Sequence, residues 1–276
     1  VPDAHGDWFN QRDDSFSHFM RMDGKKAKEP AIFKNFSLGV ATGRDAWCYN
    51  FSKNVLSSNI HRMIDNYERI RLESIKSENF VLTKNPVEIS WNSNLEQRLN
   101  KNTIIKFDNN ALCKSFYRPF IPSNLYFHVD LIARRYQLAS IFPNNSAENL
   151  VICSSGVGSK CFTCLMAGAI ADLNMLEAGA QCFPRWLPGG QNKGTEDTLD
   201  FGDPNEKQSG FSPEALPHFQ AAYPDKPITE DDLFYYIYGI LHSKDYRARY
   251  ANNLMKELPR IPRVATYEQF LAFAKA

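Results

Sequence analysis

The segment 39–51, GVATGRDAWCYNF, combines residue types that suit contact with nucleic acid. Its two glycines allow the backbone to approach another group closely or to adopt a positive φ. The guanidinium of Arg44 can donate paired hydrogen bonds to guanine or to phosphate, and Asp45 can hold that guanidinium or accept a hydrogen bond from cytosine. The alternative is a local Arg44–Asp45 pair that holds a loop, with Trp47 and Tyr49 in the core.

A second stretch places basic residues between aromatic ones. It runs from Lys114 to Phe120 (KSFYRPF), continues at Leu125–His128 and ends with the pair Arg134–Arg135. Basic residues interleaved with aromatic rings are typical of nucleic-acid contact. In the alternative interpretation the rings pack a sheet and Arg118 satisfies buried carbonyl groups.

Two weaker patterns concern metal ions. Cys161-Phe-Thr-Cys164 is a CxxC motif that, with Cys153 and Cys182, supplies four thiolates for zinc, but zinc ribbons usually have two such motifs. Small buried thiols in a core strand are the simpler interpretation. Pro2-Asp3 and Asp23-Gly-Lys25 match the loose PD…(D/E)xK pattern of metal-dependent nucleases, in a polar leading segment where a chance match is expected. The six scattered cysteines favour reduced thiols over a disulfide scaffold.

Signatures of several enzyme classes are missing from the sequence. It has no GxxxxGK[ST] phosphate-binding loop, no GxGxxG after a strand, no GxSxG elbow and no HExxH. The longest apolar runs are a few residues, which predicts no membrane-spanning segment. The polar, acidic start does not resemble a signal peptide.

The elements that must position these residues follow from hydrophobic periodicity. The pattern predicts helices over 53–76 with Ser52 as N-cap, over 93–101, from Thr229 with a Thr229–Asp232 capping box, over 246–258 and over 267–274. Residues 31–51 fit a strand–loop–strand unit, and short strands are expected at 103–107, 115–117, 125–128 and 150–154. The fold class is therefore α+β, with a mixed, mostly antiparallel β region and a helical C-terminal part.

The chain divides by composition into three parts. Residues 1–187 form a recognition region with a polar leading segment, 188–227 a Pro/Gly-rich loop or insertion, and 228–276 the helical C-terminal part of the same domain. Residues 1–150 contain 20 Lys and Arg against 16 Asp and Glu, a net charge of +4, whereas the remainder has 12 against 15, a net charge of −3. A polyanion should therefore bind the first part.

Four longer blocks occur in a fixed order: FSLGVATGRDAWCYNFS (36–52), KSFYRPFIPSNLYF (114–127), QCFPRW (181–186) and LFYYIYGILHSKDYRARYANNLMKELPRIP (233–262). Together they resemble the C-terminal target-recognition (specificity) domain of the bacterial single-chain Type ISP restriction–modification enzymes. The last block, with YIYGILHS, a Tyr-Arg-x-x-Tyr and LPRIP, is the most distinctive. The resemblance covers most of the chain.

This resemblance implies a part of a larger enzyme. In the family, one polypeptide carries a nuclease, a helicase-like ATPase, an adenine-N6 methyltransferase and then this domain, which reads an asymmetric DNA site. Because the catalytic motifs are absent here, we expect the catalytic modules upstream of Val1. The chain itself is then non-catalytic and without a cofactor, and S-adenosylmethionine, ATP and Mg²⁺ belong to the upstream domains.

The expected partners are double-stranded DNA and the upstream methyltransferase and helicase domains, in the cytoplasm and with no membrane. The resemblance and the residue types together predict DNA contacts, with Arg44 the first candidate for a base contact and the lysines and other arginines for phosphates. The predicted DNA-binding residues are Lys34, Thr42, Arg44, Asp45, Lys53, Tyr117, Arg118, Arg134, Arg135 and Lys160. Two alternatives stay open: a module that only docks on the methyltransferase, and a metal-dependent nuclease fragment.

Overall fold

A computed structural model describes residues 6–7, 11–23, 29–77, 79–189 and 207–276. The chain forms two compact units. The first comprises Val1–Ser37, Asn149–Gly168 and Leu176–Ala276, and the second comprises Leu38–Glu148 and Ala169–Met175. Most of the PD…(D/E)xK match lies outside the described residues. Of its members only Asp23 is described, and its carboxylate accepts a hydrogen bond from Arg21 Nη2 at 3.0 Å.

The described residues contain short strands and both short and long helices. The α-helices are α1 (Asp45–Cys48), α2 (Lys53–Lys76), α3 (Ser93–Asn100), α4 (Ala215–Gln220), α5 (Glu230–His242), α6 (Lys244–Arg249), α7 (Ala251–Lys256) and α8 (Tyr267–Lys275). The strands are β1 (Met20–Arg21), β2 (Ser37–Leu38), β3 (Tyr49–Asn50), β4 (Leu112–Arg118), β5 (Ile121–Tyr126), β6 (Val151–Ser154), β7 (Cys164–Ala167), β8 (Ile170–Ala171), β9 (Gln181–Pro184), β10 (Trp186–Pro188), β11 (Lys207–Ser209) and β12 (Arg260–Ile261).

The second unit is built on a sheet with the strand order β3-β5-β4-β8. The hairpin β4–β5 turns through two residues, since Arg118 pairs with Ile121, and β3 adds to β5 in the antiparallel sense. β8 pairs with β4 in parallel. The β4–β5 register shifts by one residue between Phe116 and Arg118, which marks a β-bulge.

Helix α2 packs against β3 and β5 of this sheet. The Ser52 hydroxyl accepts a hydrogen bond from the Val55 amide at 3.3 Å and caps the helix, as predicted. Its buried face follows the helical period, with Leu56, Ile60, Met63, Ile64, Tyr67, Ile70 and Arg71 away from solvent. The prediction for 53–76 is confirmed at both ends.

The first unit has a four-stranded sheet with the order β2-β9-β6-β7, in which β2 is the segment where the chain leaves this unit. Its helices α5 and α8 both begin with capping boxes, Thr229 with Asp232 and Thr266 with Gln269. The predicted capping box at Thr229 is thus confirmed. Aromatic rings fill the core of this unit, where Tyr236 stacks on Phe270 with ring centroids 4.4 Å apart.

The α+β class is confirmed, with local differences from the sequence prediction. Residues 103–107 form no strand, and 246–258 are divided between α6 and α7. In the stretch predicted as a loop, β11 and α4 form, and Phe211 and Phe219 are buried there; residues 190–206 lie outside the described part. No helix among the described residues is long and apolar enough to span a membrane.

Candidate nucleic-acid interface

The backbone requires glycine at both positions of segment 39–51, at Gly39 because of a close approach and at Gly43 because of a positive φ. A Cβ on Gly39 would lie 2.5 Å from the carbonyl oxygen of Asp172, so only glycine allows this approach. Gly43 has a φ of +67°. Between them, Ala41 exchanges backbone hydrogen bonds with Arg134, at 3.0 and 2.9 Å. The segment is therefore fixed to neighbouring backbone before the short helix α1 begins.

Arg44 lies inside the second unit, only 3% exposed. Its Nε donates to the Ser90 carbonyl oxygen at 3.1 Å, Nη2 to the Asn92 side-chain oxygen at 2.6 Å, and Nη1 to the carbonyl of Leu131. Burial lowers the pKa of this guanidinium. Arg44 thus joins three chain segments through all three of its nitrogens.

Four of the predicted residues come together in one polar cluster around two carboxylates. Asp45 accepts hydrogen bonds from the Thr42 hydroxyl and, at 3.2 Å, from the Tyr117 hydroxyl. Arg118 donates to Asp172 Oδ1 at 2.8 Å, and its guanidinium lies 3.9 Å from the centre of the Tyr117 ring. We name Thr42, Asp45, Tyr117, Arg118 and Asp172 the carboxylate cluster.

The carboxylate cluster is largely satisfied from within the protein. The Asp172 carboxylate also accepts from the Tyr49 hydroxyl at 3.1 Å and from the Asn174 amide at 2.8 Å. Burial raises the pKa of Asp172, with a further contribution from the charge of Asp45. Burial likewise raises the pKa of Tyr117. Arg118 donates to a buried carboxylate and to the carbonyl oxygen of Tyr117, which is close to the predicted alternative in which it satisfies buried carbonyl groups.

A groove of about 410 Å³ lies at the other end of the β4–β5 hairpin. Lys53 and Lys114 line it, together with the exposed ring of Phe51 and the amides of Asn124 and Asn145. Its remaining lining residues are Leu112 and Cys113, so no described lining residue carries a carboxylate. We name it the lysine groove.

The pairing of the strands positions the lysine groove. Lys114 and Asn124 are cross-strand neighbours, and the Lys114 ammonium donates to the Asn124 side-chain oxygen at 3.2 Å. Lys53 is the first residue of α2, whose first turn contains no acidic residue. Both ammonium groups and the positive end of the helix dipole therefore favour an anion at this place.

The two neighbouring arginines differ in exposure. Arg134 is exposed, whereas Arg135 is half-buried, with its guanidinium 5.3 Å from the centre of the Phe127 ring. Arg135 lines a second cavity of about 230 Å³, which shares Cys113 and Asn145 with the lysine groove. Burial lowers the pKa of Arg135.

Lys34 and Lys160 belong to the first unit, whereas the other predicted contacts belong to the second. Both side chains are exposed. Their backbone amides are bound, that of Lys34 to the Gly210 carbonyl oxygen at 2.9 Å and that of Lys160 to Glu177 Oε2 at 3.2 Å. Each presents an ammonium group on an anchored backbone.

The cysteines do not converge on a metal site in the part of the chain that the structure describes. Cys153 and Cys182 face each other on β6 and β9 with their sulfur atoms 3.7 Å apart, while Cys161 is exposed. The hydrogen bond with the Cys182 thiol, together with burial, raises the pKa of Cys153. Across the described residues, no group of three or more His, Cys, Asp or Glu side chains is arranged to hold a metal ion.

Sequence reasoning missed Phe51, Asn124 and Asn145 as candidate site residues. Lys114 lay in a stretch that was singled out, but not among the predicted contacts. The lack of a nearby acidic residue around Lys53 and Lys114 was a usable signal. The pairing of Lys114 with Asn124 was not, because it depends on the bulge in β4.

Comparison with solved structures shows similarity over the whole chain. The chain is similar to part of the ATP-dependent Type ISP restriction–modification enzyme LlaBIII bound to DNA (TM-score 0.83, 30% identity, 100% of this chain and 17% of that one). It is similar to part of a nuclease-deletion mutant of the Type ISP enzyme LlaGI in complex with a DNA substrate mimic (TM-score 0.77, 30% identity, 100% of this chain and 20% of that one). It is also similar to part of the protein in a DrdV–DNA complex (TM-score 0.82, 30% identity, 100% of this chain and 27% of that one).

The chain therefore spans between about a sixth and about a quarter of the length of these relatives. No curated protein sequence gives a significant match. The family model described as the Type ISP C-terminal specificity domain matches residues 31–276, nearly all of the chain. The chain belongs to the family of Type ISP C-terminal specificity domains.

Proposed function

We propose that this chain recognises a specific sequence in double-stranded DNA and positions an upstream adenine-N6 methyltransferase of a restriction–modification enzyme on that site. The observation that carries the proposal is the lysine groove, a cationic surface without a carboxylate in its described lining, in a specificity-domain chain similar to enzymes solved with DNA. DNA affinity depends mainly on neutralised phosphates, which such a groove can supply.

The exposed cations are assigned to phosphate contacts. Lys53 and Lys114 act in the lysine groove, and Arg134 adds a third positive charge in the same unit. Lys34 and Lys160 are proposed as phosphate contacts of the first unit. Such contacts fix the register and the orientation of the domain on the duplex without reading its sequence.

Arg44 is proposed to act indirectly. All three of its nitrogens donate to protein acceptors, so a bidentate contact with guanine requires the loss of these bonds. The side chain instead fixes the conformation of segment 39–51, which ends in Phe51 at the lysine groove. Base contacts are proposed for groups that keep exposed surface besides their internal bonds. At the carboxylate cluster these are Asp45 and Arg118, whose side chains are 37% and 32% exposed, with Tyr117 stacked on Arg118; beside the groove it is Arg135.

The remaining features of the proposal rest on the family. The chain contributes recognition and no catalysis; nuclease, ATPase and methyltransferase chemistry, with S-adenosylmethionine, ATP and Mg²⁺, belongs to upstream domains of the same polypeptide in the cytoplasm. The recognition role is assigned to 1–187, which contains the lysine groove, and a bracing role to 228–276. A module that only docks on the methyltransferase is the competing function.

A selection experiment tests the proposal. The 276-residue chain is mixed with a random double-stranded DNA pool at increasing salt, and the bound fraction is sequenced. Enrichment of one asymmetric motif supports sequence recognition, whereas salt-sensitive binding without enrichment reduces the role to phosphate contact. Absence of binding even at low salt would favour the docking module.

A further inference from the structure

Phe51 presents its ring to solvent at the edge of the lysine groove, with 76% of the residue exposed. A single exposed apolar side chain is common on protein surfaces and has no meaning by itself. Phe51 differs because its backbone is held and because lysine and asparagine side chains line the same groove.

The side-chain amide of Asn124, itself only 7% exposed, holds the backbone at Phe51. Its Nδ2 donates to the carbonyl oxygen of Asn50 at 3.1 Å and to that of Phe51 at 2.8 Å. On the other side, the Ser52 amide donates to the Asn50 side-chain oxygen at 2.9 Å. The ring therefore projects from a backbone that loses little conformational freedom when a ligand binds.

The groove combines the groups that a nucleotide needs. Its volume of about 410 Å³ falls within the usual range for small-ligand sites. The ring of Phe51 offers a stacking face, Lys53 and Lys114 offer charges for phosphate, and Asn145 offers an amide for a base edge. In paired DNA the faces of the bases are covered by their neighbours. Only an unpaired or extruded base can expose a whole face to Phe51.

We propose that the lysine groove binds one unpaired nucleotide of the DNA, with the base stacked on Phe51 and the adjacent phosphates on Lys53 and Lys114. This inference rests on the proposed function, because it requires that the chain binds DNA. It adds a site for single-stranded or extruded DNA to the recognition of the duplex. Because Lys53 and Lys114 are proposed to contact phosphates in both cases, the duplex and the unpaired nucleotide belong to the same DNA molecule.

Two DNA probes that differ only in one unpaired base test the stacking site separately from the proposed duplex recognition. One is a fully paired duplex, and the other carries a single unpaired 5-iodouracil, which cross-links on irradiation to an aromatic ring stacked on it. The chain should bind the second probe about 5–150-fold more tightly, the range for stacking of one base on an aromatic side chain. Mass spectrometry should find the cross-link on Phe51.

Variants identify the ring. Phe51→Ala should remove the preference for the unpaired base and the cross-link, and Phe51→Trp should restore both. Phe120→Ala is the matched control, since Phe120 is 81% exposed in the same unit and does not line the groove. It should behave like the unmodified chain.

The outcomes distinguish failure of the stacking site from failure of duplex recognition. Equal affinity for both probes, or an equal effect of Phe51→Ala and Phe120→Ala, overturns the stacking site and leaves duplex recognition standing. Failure to bind either probe removes the proposed function and the stacking site together.

Discussion

The salt dependence of DNA binding tests the phosphate contacts that are proposed for the lysine groove. The perturbation is the replacement of Lys53, Lys114 or both by alanine. Both side chains are exposed, and neither forms an ion pair with a described carboxylate. Each ammonium is therefore free to displace one counterion from DNA, and each is proposed to contact one phosphate.

The magnitude follows from counterion release. The plot of log K against log[salt] has a slope of about −0.9 for each neutralised phosphate of B-DNA, so each single variant should make the slope shallower by about 0.9 and the double variant by about 1.8. Sequence preference should persist, because phosphate contacts position the protein without reading bases.

The assay is fluorescence anisotropy with a labelled duplex at a series of salt concentrations. Lys101→Ala is the matched control: Lys101 is an exposed lysine of the same unit outside the groove, so its replacement removes the same charge from the chain. A control that changes the slope as much as Lys53→Ala would show that only the total charge matters. A double variant with an unchanged slope would refute the assignment of phosphates to this groove.

Further predictions concern stability and reactivity. Arg44→Ala should lower the free energy of unfolding by about 2–5 kcal/mol, because it leaves buried acceptors without donors, and urea denaturation measures this. Phe120→Gly should raise it by about 1 kcal/mol, because Phe120 has a φ of +60° that glycine adopts without strain. Hydrogen bonds lower the pKa of Asp13 to about 2, so stability should fall as pH drops from about 4 towards 2, and Asp13→Asn should flatten that dependence in urea titrations. Maleimide should label exposed Cys161 first and spare Cys113, whose thiol pKa burial raises to about 12; peptide mass spectrometry identifies the site.

Elements set by local rules could be predicted from the sequence. Helix α2 repeats apolar residues at the helical period after a serine N-cap, and α5 begins with a capping box, so neighbours in sequence determine both. The glycines at 39 and 43 were also interpretable, because few other residues tolerate a close backbone approach or a positive φ. The division of 246–258 into two helices was not, because no proline or glycine marks the break at Tyr250.

The environment of a side chain is harder to predict than its chemistry. The residue type of Arg44 indicates a base contact, but its side chain is buried and holds the structure together. Its acceptors, at positions 90, 92 and 131, are distant from it in sequence. Nothing near Arg44 in the sequence indicates that these carbonyl and amide oxygens surround it. Arg118 presents the same problem, because its partner Asp172 lies 54 residues away. A polar residue type therefore predicts a hydrogen-bonding role but not the partner.

The lysine groove depends on a register that the sequence does not display. A two-residue turn at Pro119–Phe120 with regular pairing would place Lys114 opposite Leu125. The bulge at Tyr117 shifts the pairing by one residue, so Lys114 faces Asn124 instead. That single shift lets one asparagine contact the Lys114 ammonium and hold the backbone at Phe51. The side chains that meet at the lysine groove therefore depend on the register of one hairpin.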